Sequence, residues 1–128
     1  MSPYLDLFVS EARKHLSAFG ELIIRLEISA PDPAVIGELF RQVHSIKGMA
    51  ATMRYEQIGA LAHTMEKQLG LVQDSPFRLQ PALADLLVEG SDALGRLVAE
   101  IESGSGGFED TAGLIERLAA FNPAAAGT

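Results

Sequence analysis

Pro33-Ala34-Val35-Ile36-Gly37-Glu38-Leu39-Phe40-Arg41-Gln42-Val43-His44-Ser45-Ile46-Lys47-Gly48-Met49-Ala50-Ala51-Thr52-Met53 is the stretch on which the reading of this chain turns. Ile36, Leu39/Phe40, Val43, Ile46, Ala50 and Met53 recur every three or four residues, which places them on one face of a helix. Asp32 stands ahead of the stretch as a candidate cap, with Pro33 at the first helical position. His44 follows the apolar residue Val43 but lies about 100° further round the helix. Its own stripe is Phe40, Lys47/Gly48 and Ala51. An imidazole thus sits at the edge of the apolar face, with a cation three residues on and a glycine after that. Glycine inside a helix costs about 1 kcal/mol relative to alanine, and open access to the imidazole is one reason to carry it.

The same period extends in both directions. Leu5, Phe8, Ala12, Leu16, Phe19, Ile23 and Leu26 share one face of a long first helix, with Pro3 near its start and Ala30-Pro31-Asp32-Pro33 as its break. A third helix is expected over about Tyr55 to Gln73, with Ile58, Leu61/Ala62, Met65, Leu69 and Val72 inward and Asp74-Ser75-Pro76 at its end. A fourth begins near Pro81 and carries Leu83, Leu86/Leu87, Leu94, Leu97/Val98 and Ile101. Ser103-Gly104-Ser105-Gly106-Gly107 reads as a flexible loop. Leu114/Ile115, Leu118 and Phe121 then predict a short fifth helix capped by Asp110. No strand pair or internal repeat stands out. Long amphipathic helices with short connections predict an all-α fold: an antiparallel up-down four-helix bundle with an additional short C-terminal helix. The expected domain is residues 1–121. Residues 122–128, rich in Pro, Ala and Gly, read as a linker start or tail, as though cut from a longer polypeptide.

With 128 residues the chain suits one domain, large enough to bury its own core without a staple. It has no cysteine, which excludes disulfides and thiol redox chemistry. A net charge of −7 argues against nucleic acid and anionic membrane surfaces as partners. No apolar run approaches a spanning helix, and Met1 to Asp6 lack the basic and apolar regions of a signal peptide. A cytoplasmic, monomeric domain is the expectation.

On the third helix Gly59, His63, Glu66 and Gly70 form a second stripe. If the second and third helices pack antiparallel, it can face His44 and Lys47. A carboxylate that accepts the Nδ1 proton of an imidazole leaves Nε2 bare and stabilises positive charge as the ring attacks an electrophile. Lys47 can attract phosphoryl oxygens. The chain shows neither a P-loop nor a kinase motif set, so ATP and Mg would be used by another domain and no cofactor is expected in this one. His15 reads as structural or exposed, and the methionines as core fillers. Periodicity alone leaves three functions open: a phosphocarrier, a metal-binding bundle and a non-catalytic adaptor. The metal reading rests on His44, His63 and Glu66, but di-iron bundles use paired Glu-x-x-His motifs, whereas here the order is reversed and occurs once. An adaptor has no need of His44, Lys47 and Glu66 together.

His44-Ser45-Ile46-Lys47-Gly48-Met49-Ala50-Ala51 resembles the phosphoacceptor motif of histidine phosphotransfer (Hpt) domains. Ile58 to Glu66 is similar to the partner segment in the N-terminal domain of CheA-type chemotaxis histidine kinases, and Tyr4 to Ala12 to the start of such a domain. The resemblance spans roughly residues 3 to 103. It implies an up-down helical bundle in which His44 is phosphorylated and Glu66 orients its Nδ1, with Lys47 and His63 in the surrounding polar network. It further implies a kinase domain of a dimeric parent as donor in trans and a CheY- or CheB-type response regulator as acceptor. Gly48, Met49 and Ala51 are the expected docking positions. Met49 departs from the small residue usual in the family. Arg54 departs from the usual glycine at the end of the second helix, which puts the cap geometry in question.

Overall fold

The computed structural model describes residues 2–28, 32–74, 79–104 and 109–122. Five helices follow one another among them: α1 (Pro3–Ile28), α2 (Pro33–Met53), α3 (Glu56–Gln73), α4 (Pro81–Ser103) and α5 (Ala112–Ala120). Each of α1 to α4 packs against its two neighbours in a closed ring, and α5 lies across α3 and α4. The fold is thus an all-α, four-helix bundle with a short C-terminal helix, as the periodicity predicts.

Local chemistry sets the boundaries. The Asp32 carboxylate accepts from the Ala34 amide at 2.9 Å, and Pro33 occupies the first helical position. At the other end of α2, Arg54 takes the left-handed conformation, φ 62 and ψ 35. Its amide donates to Ala50 and Ala51 carbonyls, and the Tyr55 amide reaches Ala50 O at 2.9 Å. The glycine-type cap therefore forms with arginine in place, against the steric preference of a residue with a Cβ. Tyr55 is left outside α3 as its N-cap, one residue later than the expected start, and its ring meets Phe8 edge-on at 4.9 Å. Gly104 closes α4 with the same left-handed turn, φ 68. Asp110 caps α5 from just outside it, accepting from Ala112 N at 3.0 Å. The expected segments at 29–31, 75–78, 105–108 and 123–128 lie outside the described residues.

The core is apolar and continuous through Phe19, Leu39, Ile46, Leu61, Met65, Leu87, Leu94 and Leu118. Val9 and Leu22 of α1 are also buried, although they lie beside the narrow stripe read from the sequence. α1 touches both α2 and α4, so it buries a wider face than one partner requires. Gly90 of α4 admits Met65 so closely that a Cβ would lie 2.7 Å from the Met65 sulfur.

The two-residue connection at Arg54 and Tyr55 turns the chain back on itself, so α2 and α3 run antiparallel. Their register is visible in three contacts. A Cβ on Gly59 would sit 3.9 Å from Ala50 Cβ, one on Gly70 3.5 Å from Phe40 Cε2, and one on Gly37 3.4 Å from Gln73 Nε2. Ascending α2 matches descending α3, and the middle of this register brings His44 and Lys47 opposite Glu66 and His63.

Candidate functional site

His44 stands halfway along α2 with 60% of its side chain exposed. Val43 and Ile46 on either side are fully buried, so the helix is rotationally fixed and the imidazole emerges at the core edge. Glu66 reaches it from α3. The carboxylate is only 10% exposed, and its Oε2 accepts the Nδ1–H of His44. Lys47, one turn beyond His44, donates from Nζ to the other oxygen, Oε1, at 2.8 Å. Lys47 therefore anchors Glu66 in place through one of the three donors of its ammonium.

Burial by itself would raise the Glu66 carboxyl. The hydrogen bonds from Lys47 and His44, with the ammonium charge of Lys47, outweigh burial and hold it below the ordinary glutamate value. A buried, ionised carboxylate with both oxygens engaged is a firm orienting group. It commits the Nδ1 nitrogen to a proton and leaves Nε2 as the ring's lone-pair nitrogen.

His63 lies on the same side, 56% exposed, with Nδ1 3.9 Å from Glu66 Oε1. That is beyond hydrogen-bonding reach, so its link to the carboxylate is electrostatic and requires the protonated ring. Gly48 and Ala51 are exposed, and nothing lies within 4 Å of where a Gly48 Cβ would be. Met49 is half-buried and packs against the core. His15 is half-buried too. Its Nδ1 pairs with Gln42 Oε1 at 2.6 Å and ties α1 to α2. Among the described residues no group of three or more His, Asp or Glu is arranged to hold a metal ion.

Two contacts escaped the sequence reading. The Phe40 ring stacks on His44, with centroids 6.0 Å apart and planes 9° from parallel. Their spacing of four residues allowed a contact but not its geometry. Gln68, two residues past Glu66, is buried and donates to the carbonyls of Leu118 at 2.7 Å and Phe121 at 3.1 Å. A glutamine at an inward position of an otherwise apolar stripe was the available signal.

The Hpt domain family model matches residues 3–94. This chain belongs to the Hpt domain family. The Hpt domain is 33% identical over 117 residues to the chemotaxis protein CheA of Listeria monocytogenes, covering 91% of this chain and 19% of that protein. To CheA of Bacillus subtilis it is 31% identical over 118 residues, covering 92% and 18%. It thus spans about a fifth of the length of these relatives. Among solved structures it is similar to the CheA phosphotransferase domain of Thermotoga maritima, with 33% identity, a TM-score of 0.75, and 80% and 99% of the two chains covered. It is also similar to the phosphorylated P1 domain of CheA3 from R. sphaeroides, which was crystallised in complex with CheY6. There the identity is 25%, the TM-score 0.82, and the coverage 92% and 94%. No described helix of this Hpt domain is long and apolar enough to cross a membrane.

Proposed function

We propose that His44 of this Hpt domain accepts a phosphoryl group from an ATP-dependent kinase domain of a CheA-type parent and passes it to an aspartate of a response regulator. The observation that carries this reading is the exposed imidazole whose Nδ1–H is held by a buried carboxylate, itself anchored by Lys47. Nε2 is then a nucleophile with its lone pair directed outward. It attacks the γ-phosphorus, the N–P bond forms, and the bond to the leaving β-phosphate oxygen breaks with its electron pair. The Nδ1 proton stays on the ring, and Glu66 offsets the positive charge. In the return step a carboxylate oxygen of the regulator attacks phosphorus and the N–P electrons go back to Nε2.

On this reading the domain is a carrier. ATP and Mg belong to the kinase domain, and location and signal to the parent, with the cytoplasm as its place. The similarity to a P1 domain crystallised with a CheY protein favours a CheY-type acceptor. The exposed surface around His44, Gly48 and Ala51 is where such a regulator would dock. The product is an acid-labile, base-stable phosphoramidate.

Incubation with a CheA catalytic fragment and labelled ATP tests the reading. Fragmentation should place one phosphoryl group on His44, and His44→Gln should abolish it. Equal labelling of His44→Gln would overturn the assignment, and an adaptor would stay unlabelled throughout.

A further inference from the structure

Glu66 holds His44 by one edge only. With 60% of its side chain exposed, the imidazole has few packing neighbours to fix its plane. The torsion that turns it joins a tetrahedral to a trigonal carbon, and such torsions have broad, shallow wells. The constraint comes from Phe40, one turn earlier on α2, whose ring lies nearly parallel to the imidazole in an offset stack. Phe40 is half-buried and packs on the core, so it is a fixed surface rather than a second mobile ring. Its seat is provided by α3. Gly70 faces Phe40, and an alanine Cβ there would already be in van der Waals contact at 3.5 Å. A longer side chain would displace the ring.

We infer that Phe40, seated on Gly70, is a positioning residue that fixes the ring plane of His44 and so aims the Nε2 lone pair. The inference rests on His44 being the phosphoacceptor. Glu66 selects the nitrogen and Phe40 sets its direction. Phosphoryl transfer is an in-line displacement with diffuse charge, so its rate depends on positioning more than on nucleophile strength. Phe40 does not touch the reacting atoms.

The rival is that Phe40 only fills the edge of the core. Phe40→Leu separates the two, because it keeps an apolar side chain but removes the flat face. Phe40→Tyr restores the face. Two readouts on the 128-residue chain decide: single-turnover phosphorylation by a CheA catalytic fragment with Mg-ATP, and the His44 Nδ1 proton resonance in a nitrogen-15-labelled sample. The native chain should show a protected Nδ1 proton. Phe40→Leu should lose that protection and slow roughly 10-fold, within the range that small misplacements cost, with its melt still cooperative. Phe40→Tyr should recover both. Gly70→Leu, made on the other helix, should reproduce Phe40→Leu. Native rate and a retained Nδ1 proton in Phe40→Leu would overturn the inference, as would a slowed variant whose Nδ1 proton is unchanged. Failure of the native chain to be labelled would instead overturn the phosphoacceptor reading. The resonance would still report whether Phe40 holds the ring.

Discussion

Replacing Glu66 separates two effects of one carboxylate on His44. Glu66→Gln keeps an oxygen that can accept the Nδ1 proton but removes the charge, whereas Glu66→Ala removes both. Orienting groups of this kind typically contribute about 10²–10⁴-fold. Imidazole is already a competent nucleophile, so the loss in Glu66→Ala should fall near or below the low end. Glu66→Gln should be intermediate, measured by single-turnover phosphorylation. Native rates in both would make Glu66 a structural residue. The direction of its pKa adds a pH signature. A carboxyl held below its ordinary value stabilises the folded state at pH values above that value, near 4.3, and loses this as pH falls through the folded one. The stability gap between the native chain and Glu66→Gln should therefore be full at neutral pH and close on acidification below about pH 4. Urea melts at both pH values measure it. A gap that widens in acid would contradict the ionised, doubly bonded carboxylate.

Along α2, two positions make opposite demands on the helix. Arg54 ends it in the left-handed region, where a residue with a Cβ pays about 1–2 kcal/mol. Arg54→Gly removes that strain but gives the unfolded chain more freedom, worth about 0.4–1 kcal/mol. A net gain of about 0.5–1 kcal/mol is expected from denaturant unfolding. No gain would mean that the arginine side chain repays its own strain. Gly48 is the converse case, a helical glycine with open space around it. Gly48→Leu should hold or raise the melting temperature, because leucine favours helix by most of 1 kcal/mol over glycine. Transfer to the regulator should slow, because the new side chain stands beside the imidazole. An unimpaired transfer rate would move the docking surface elsewhere.

One tie between the bundle and α5 is the buried side-chain amide of Gln68. Gln68 serves two carbonyls at the end of α5, whose one fully buried side chain is Leu118. Outside this contact, Arg117 pairs with Glu89 on the surface, and such exposed pairs contribute little. Gln68→Leu should remove both bonds, leaving Leu118 O to the Phe121 amide at 3.3 Å and Phe121 O without this donor, at about 1–3 kcal/mol for an unsatisfied buried group. Hydrogen exchange in residues 112–120 should rise well before that of α2. Uniform acceleration across all helices would instead mean that α5 and the bundle unfold as one unit.

Much of this arrangement is written in local patterns. The 3.6-residue period, Asp32 with Pro33, and the spacing of His44 from Lys47 and of His63 from Glu66 depend on neighbours within one or two turns. They are therefore legible without a third dimension. The stripe on α3 was legible as a stripe, and the family resemblance singled out Glu66 from it, but the register that seats Glu66 on His44 was not legible. Glu66 reaches Nδ1 and His63 does not, because the tight turn at Arg54 and the glycine contacts set the α2–α3 register. The same long-range packing brought Lys47 onto Glu66 and widened the buried face of α1 to include Val9 and Leu22. It also set Phe40 nearly parallel to the imidazole and gave Gln68 its partners at the end of α5. Periodicity specifies which face of a helix is apolar. The rotation and slide of one helix against another, a matter of side-chain volumes far apart in the chain, specify which polar atoms meet at the rim of that face.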